Sequence, residues 1–317
     1  MKTIQPACHP NILFSLGLRS DWMGNPWTLY DYAVASRGFA FWLDDADPEE
    51  RSIIEEICRK GDFKPGAIVM GYAKSGDDLL YVTNRYNIGY VVSDYYANGS
   101  FWCSYPNKSF KQRPGRAVKA ENGKIYVSVV FSDGDNVQFD QNALYPIWTD
   151  DTDRGAFPVG TTLCAGMQEL NPFLLEWYYD HMSPNDELMA GPSGYQFIYG
   201  RDYSEEGYEK WLELNRQWLA SAGFKTACFW HTSYGTDRFY RYVETAGLEG
   251  VFNGDDDVIL DYHDGVIIMN QGDHLVAEGD LYNNLAHRQA QLDPSRPHFL
   301  NVYPTAATYG YHGVARL

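Results

Sequence analysis

Two aspartates separated by one glycine close an apolar run: Lys124-Ile125-Tyr126-Val127-Ser128-Val129-Val130-Phe131 passes directly into Ser132-Asp133-Gly134-Asp135-Asn136. Asp133 and Asp135 are candidate catalytic acids, because parallel α/β folds display their reacting groups at the carboxyl ends of strands. A pair of carboxylates can act as acid and nucleophile, or as acid and base, on the two sides of a glycosidic bond. A like charge close by is one way to raise the pKa of the member that must donate a proton. Gly134 is expected to let the chain turn tightly between the two acids. The plainer reading is an Asx-turn in which Asp135 or Asn136 satisfies the free amides of a following helix.

Other segments offer partners. One of the pair is expected to work with a carboxylate from another loop, Asp94 or Asp186, with Glu169 behind them. Asp94 and Asn98 follow the apolar Val91-Val92, and Trp230-His231 ends another apolar run. His231 could shuttle a proton or hold a substrate hydroxyl, although a lone histidine at a strand end is more often structural. Asn136, Asn98, Trp230 and His231 are candidate substrate-binding residues. Gly254-Asp255-Asp256-Asp257 could bind a hard cation through oxygen, but a solvated loop is the simpler reading, and the alternating ligands of an EF-hand are absent. No metal ligand set and no cofactor are expected. No Gly-x-Gly-x-x-Gly, Gly-x-x-x-x-Gly-Lys-Ser/Thr, His-Glu-x-x-His or Gly-x-Ser-x-Gly pattern occurs, which removes support for nucleotide, zincin and serine-hydrolase chemistry. Cys164 and Cys228 lie inside predicted strands, where a buried thiol is inert.

The elements that must position these residues alternate. Candidate strands are Gly38–Leu43, Ala67–Tyr72, Gly89–Ser93, Lys124–Phe131, Gly160–Ala165, Glu187–Ala190, Thr226–Trp230, Gly250–Phe252, Val266–Asn270 and His298–Tyr303. Between them lie helices with local start signals. Asp47-Pro48-Glu49-Glu50 reads as N-cap, first-turn proline and capping glutamate, and Asn171-Pro172, Ser204, Thr236 and Asp280 read as further caps. A helix from Ser204 has a buried stripe of Tyr208, Trp211, Leu212, Trp218 and Leu219 and ends at Gly223. Strand followed by helix, repeated, implies α/β with a largely parallel sheet. The expected fold is a (β/α) TIM-like or distorted barrel with a small N-terminal α/β flank; an open doubly wound sheet is the alternative. Residues 1–110 form the flank, which could contribute the first barrel strands, and 111–317 the barrel-like catalytic domain. The boundary falls in Gly99–Asn122, read as a solvated linker that carries Lys108, Lys111, Arg113 and Arg116.

Composition narrows the partners. A net charge of −17 over 317 residues would be repelled by phosphate backbones and anionic membranes, so neither nucleic acid nor a lipid surface is expected. Phe, Trp and Tyr make 16% of the chain, and such rings suit sugar faces as well as cores. Five scattered cysteines without a Cys-x-x-Cys pair argue against a disulfide framework and a structural zinc. The start has no apolar run of leader length and no stretch is long enough to span a bilayer, so the default is a cytoplasmic protein, or a secreted one whose leader has been trimmed. The oligomeric state is left open.

Gly191-Pro192-Ser193-Gly194-Tyr195-Gln196-Phe197-Ile198-Tyr199-Gly200 resembles the GxGYxYP motif, which names a family of glycoside hydrolases. The Ser132–Asn136 strand end, Ser93–Ser100, Asp151–Val159 and Arg37-Gly38-Phe39-Ala40-Phe41 resemble its other segments, in the same order. The resemblance runs from about residue 37 to about 200 and on to His298–Tyr303. It departs where Gln196, Phe197 and Gly200 replace the motif's glycine, tyrosine and proline. It implies a C-terminal barrel domain acting on an oligo- or polysaccharide, with Tyr195 and Tyr199 joining Asn136 and Trp230 along the sugar subsite. A metal-dependent carbohydrate deacetylase and a non-catalytic carbohydrate-binding protein are the alternatives.

Overall fold

The structure, a computed structural model, describes residues 7–16, 29–73, 77–93, 95–113, 115, 118–131, 133–230, 232–254, 260–272, 274–275, 282–283, 286 and 293–316. Two sheets form. The smaller has four strands in the order β2-β1-β3-β4, with β1 Ile12–Ser15, β2 Phe39–Phe41, β3 Ile68–Gly71 and β4 Gly89–Val92, all parallel. The larger has nine strands in the order β10-β11-β9-β8-β7-β6-β5-β13-β12 and curls as a half-barrel. Its members are β5 Ile125–Phe131, β6 Val159–Leu163, β7 Asp186–Ala190, β8 Thr226–Phe229, β9 Gly250–Asn253, β10 Asp261–His263, β11 Val266–Asn270, β12 His274–Leu275 and β13 His298–Pro304. The β10–β11 pair is antiparallel, and every other pair in this sheet is parallel.

Each of the ten strands expected from the sequence is present to within a few residues, and β1, β10 and β12 are additional. The mixed α/β class therefore holds. The closure of a TIM-like barrel does not appear: among the described residues β10 and β12 are the open ends of the larger sheet.

The helix starts follow local chemistry. The Asp47 carboxylate accepts from the amides of Glu49 and Glu50, Asn171 from Leu174, Ser204 from Gly207 and Thr236 from Phe239. Gly223 ends the helix Glu205–Ala222 in the left-handed region, which costs a glycine little. Asp280 lies outside the described residues.

Two features depart from the sequence reading. The segment before β5 is not merely a solvated linker. Phe110 stacks on Tyr179 with ring centroids 4.5 Å apart, and its amide donates to Ser221 O. The Gln112 side chain enters a seam where β7 and β8 share only the Ala190–Ala227 pair; it accepts from Leu188 N at 2.7 Å and donates to Leu188 O at 2.5 Å. Second, the motif segment covers the free edge of β4. Phe197 and Tyr90 exchange both backbone hydrogen bonds, at 2.8 and 3.1 Å, and Tyr199 N donates to Asn84 Oδ1 at 2.6 Å. An exposed parallel edge would invite pairing with another chain, and this loop removes it.

Candidate active site

The loop after β5 is held from two sides. Thr162 on β6 accepts from Gly134 N at 3.0 Å and donates to Phe131 O at 2.7 Å through the same hydroxyl. A Cβ on Gly134 would lie 1.9 Å from Thr162 O, and one on Gly191 would lie 2.6 Å from Asp135 N. Both glycines are needed for close backbone approach. The positive φ of the turn, +76°, falls on Asp133 and not on Gly134, which corrects the role read from sequence. Asn136 N donates to Asp133 O at 3.0 Å and closes the turn. The amide of Asn136 does not cap the helix after it; it donates to Asp135 Oδ1 at 3.3 Å and accepts from Gln138 Nε2 at 3.2 Å. Asp133 and Asp135 are thus partly exposed acids on a stiffly anchored strand end.

Beneath them lies Asp140, which sequence reasoning missed. It begins a π-helical turn, Asp140–Leu144, and is fully buried. Its Oδ2 accepts from Cys164 N at 3.1 Å, while Tyr178 donates to its backbone carbonyl at 2.6 Å. Burial holds its carboxyl well above the usual carboxylate range; the negative charges of Asp135 and Asp133 push the same way, and the Cys164 amide opposes them. Its position one turn past Asn136 was the available signal, but nothing in its type distinguishes it from an exposed helical aspartate.

A small apolar cluster supplies the surroundings. Val130, Met189, Cys228 and Tyr303 form it, with Trp230 and Phe252 packed against them. Tyr303 is fully buried; burial first, then Cys228, Asp135 and Asp133, hold its phenol well above its ordinary pKa, so it stays protonated beside the acids. Trp230 meets Tyr303 edge-on at 6.0 Å and Phe197 edge-on at 6.1 Å, and keeps part of its surface open. Burial pushes the Cys228 thiol up to about 12, which leaves it unreactive near neutrality.

The remaining candidates are dispersed. Asp186 opens β7, at the opposite end of the parallel sheet from Asp133, and its buried side chain pairs with Arg154 Nη1 at 2.7 Å and accepts from Ser183 N at 2.6 Å. Its distance from the acidic loop comes from strand direction, and its carboxylate is committed to that pair. Glu169 is exposed and acts electrostatically on Tyr32 and Cys103. Asn98 is exposed, with φ +57°, at the start of the helix Gly99–Trp102. Tyr195 is buried and stacks with Trp211 and Trp218, at 5.9 and 6.2 Å, so it does not line an open subsite. Tyr199 is likewise buried, 4.7 Å from the Tyr81 ring. The departures from the motif serve the joint: Gln196 packs on Gly89 and donates to Gly66 O at 3.2 Å, and Phe197 pairs with β4. Asp94, His231 and Asp255–Asp257 lie outside the described residues. Among the described residues no group of three or more His, Cys, Asp or Glu side chains is placed to hold a metal ion.

Residues 123–317 match the family described as "GxGYxYP putative glycoside hydrolase C-terminal domain", and residues 11–104 match "GxGYxYP third domain". The chain belongs to the GxGYxYP family. A crystal structure of a putative hydrolase from Bacteroides thetaiotaomicron superposes with a TM-score of 0.85 at 19% identity, over 99% of this chain and 63% of that one. This GxGYxYP chain therefore spans less than two thirds of that protein's length, and the likeness establishes the shared fold. PuuE allantoinase aligns at a TM-score of 0.43 and 10% identity, over 61% of this chain and 80% of that one. A putative polysaccharide deacetylase from Mycobacterium smegmatis aligns at 0.42 and 10%, over 65% and 85%. No curated protein matches the chain. Among the described residues of this GxGYxYP chain, no helix is long and apolar enough to cross a membrane.

Proposed function

We propose that this chain hydrolyses glycosidic bonds of an oligo- or polysaccharide, with Asp133 and Asp135 as the reacting carboxylates. The observation that supports it is their placement: two partly exposed acids at the carboxyl end of β5, fixed by Thr162 and Gly191 and close enough to act electrostatically on Tyr303, against which the partly exposed Trp230 packs. One carboxyl protonates the glycosidic oxygen as the bond breaks. The other either attacks the anomeric carbon or activates water on the opposite face, according to the separation of the reacting pair. Tyr303, fully buried and kept protonated, adds no charge near the acids, and the partly exposed Trp230 offers its ring to the sugar. The family's description, "putative glycoside hydrolase", agrees with this reading. No cofactor enters it.

The test is turnover on a panel of oligosaccharides and aryl glycosides. Asp133→Asn and Asp135→Asn are each expected to lower kcat by about 10²–10⁴, with folding unchanged by circular dichroism. Full turnover in both variants would remove the proposal. A metal-dependent carbohydrate deacetylase would use the same acids to hold a divalent ion, so loss of activity on chelation, with acetate released, would replace hydrolysis by that reaction.

A further inference from the structure

A second aromatic site shares no residue with the acidic loop. On the helix Pro172–Asp180, Phe173 and Trp177 are four residues apart and so lie on one face, as do Glu176 and Asp180. Tyr105 closes over them, its ring 5.3 Å from Phe173, and Lys108 reaches Glu176 in an ion pair. Together they line a bowl of about 350 Å³. The rings continue outward: Trp102 stacks on Phe173 at 5.7 Å, Phe101 lies edge-on to Tyr105 at 5.7 Å, and Tyr145 meets Trp177 at 4.6 Å. Phe101, Tyr105, Phe173 and Tyr145 are 54, 37, 42 and 39% exposed, an unusual concentration of rings to leave in water. Contiguous exposed patches of this kind mark binding surfaces.

We infer that this bowl binds one or two sugar units of a neutral glycan, as a surface site that holds the polymer outside the catalytic cleft. The inference rests on the carbohydrate reading above for its class of ligand. A pyranose has a flat C–H face that packs on rings, while its equatorial hydroxyls reach sideways for donors and acceptors. The bowl supplies both kinds of contact: the rings of Tyr105, Phe173 and Trp177, together with the ammonium of Lys108 and the carboxylates of Glu176 and Asp180. A polyol can bond to all three without bringing in a net charge. With −17 charges on the chain, an acidic polysaccharide would be repelled, which selects a neutral one.

The experiment is depletion of the full chain from solution by insoluble cellulose, xylan, chitin and starch. At least one of these is expected to retain the protein, and the exposed-ring variant Tyr105→Ala/Phe173→Ala is expected to weaken retention by roughly tenfold or more. Asp180→Asn/Lys108→Ala, which leaves the rings in place, should weaken it by a smaller factor. Absence of retention on all four, or retention untouched by the ring variant while its circular dichroism is native, overturns the inference. Turnover and retention measured side by side on the wild type separate the two readings. Ring-dependent retention without turnover in the wild type would sustain the bowl and defeat the hydrolase, and turnover without retention would do the reverse.

Discussion

The Asp140 carboxyl places one oxygen on the Cys164 amide and buries the other with no hydrogen-bond partner among the described residues. A charge there would be poorly solvated and would face Asp135 and Asp133, so the folded state keeps the proton. The linkage has a definite sign. Below the ordinary value of 3.8 both folded and unfolded chains hold the proton. Above it the unfolded chain ionises while the folded chain does not, so stability falls as pH rises until the raised folded-state pKa is passed. Asp140→Asn keeps the acceptor for Cys164 and removes the titration. In urea unfolding the variant should gain on the wild type as pH goes from about 4 to about 8. A difference that stays constant over that range would show that Asp140 is not the titrating group. The same replacement tests whether the acids above it tolerate a neutral amide below, since turnover should survive in it and not in Asp133→Asn.

At the scale of elements, the weakest junction of the larger sheet is between β7 and β8, and it is sealed by a side chain. Gln112 takes both backbone groups of the fully buried Leu188 and also donates to Gly223 O at 3.1 Å, doing with one amide what a ladder would have done. Cutting it to alanine in Gln112→Ala leaves a buried N–H and C=O unpaired, at a cost of about 1–3 kcal/mol. The expected sign is a lower urea midpoint with an unchanged slope, and an unchanged midpoint would mean that water replaces the amide. The loop over β4 works similarly. Its backbone pairs with Tyr90, and the Asn84 and Asn87 side chains receive the amides of Tyr199 and Ser204, so the motif segment is held at the bridge and again on its C-terminal side.

Over the whole molecule, one core joins the two sheets. Phe14, Met70 and Val91 from the smaller sheet share a buried cluster with Phe131, Leu163, Leu188, Ala227 and Val251 from the larger. The motif loop and the Val92–Asn136 bridge add backbone pairing across the same boundary. Neither sheet can open without exposing part of the other's packing. A single cooperative thermal transition is therefore expected, with near- and far-ultraviolet circular dichroism coincident. Two separated transitions would show that the sheets are independent. The aromatic content also resolves at this scale. Tyr195, Trp211, Tyr242 and Phe229 form one continuous stack, with centroid separations of 5.9, 6.1 and 3.8 Å, between the helices Glu205–Ala222 and Asp237–Thr245 and β8. Many of the rings that suggest sugar by their number are core. Of those left in water, Phe101, Tyr105, Tyr145 and Phe173 gather in one patch, while Trp42, Tyr262 and Tyr282 are exposed elsewhere.

What the sequence by itself determined was local. Apolar runs that alternate with capped helices gave the strands of a parallel α/β protein, because backbone pairing and capping depend on residues a few positions apart. The acids after β5 were legible for the same reason: a strand end is written in the chain. The ordered motif segments were enough to give the family. The tertiary structure alone decided which strand ends are neighbours and which faces are covered. It put Tyr195 and Tyr199 into the core, sent Asp186 to the far end of the sheet with Arg154, and gave the positive φ to Asp133 where Gly134 was needed against Thr162. Among the described residues it also left β10 and β12 as open ends, since closure depends on the geometry of the whole sheet and no local pattern specifies it. Burial and backbone approach are properties of packed surfaces, and those surfaces are set by residues far apart in sequence.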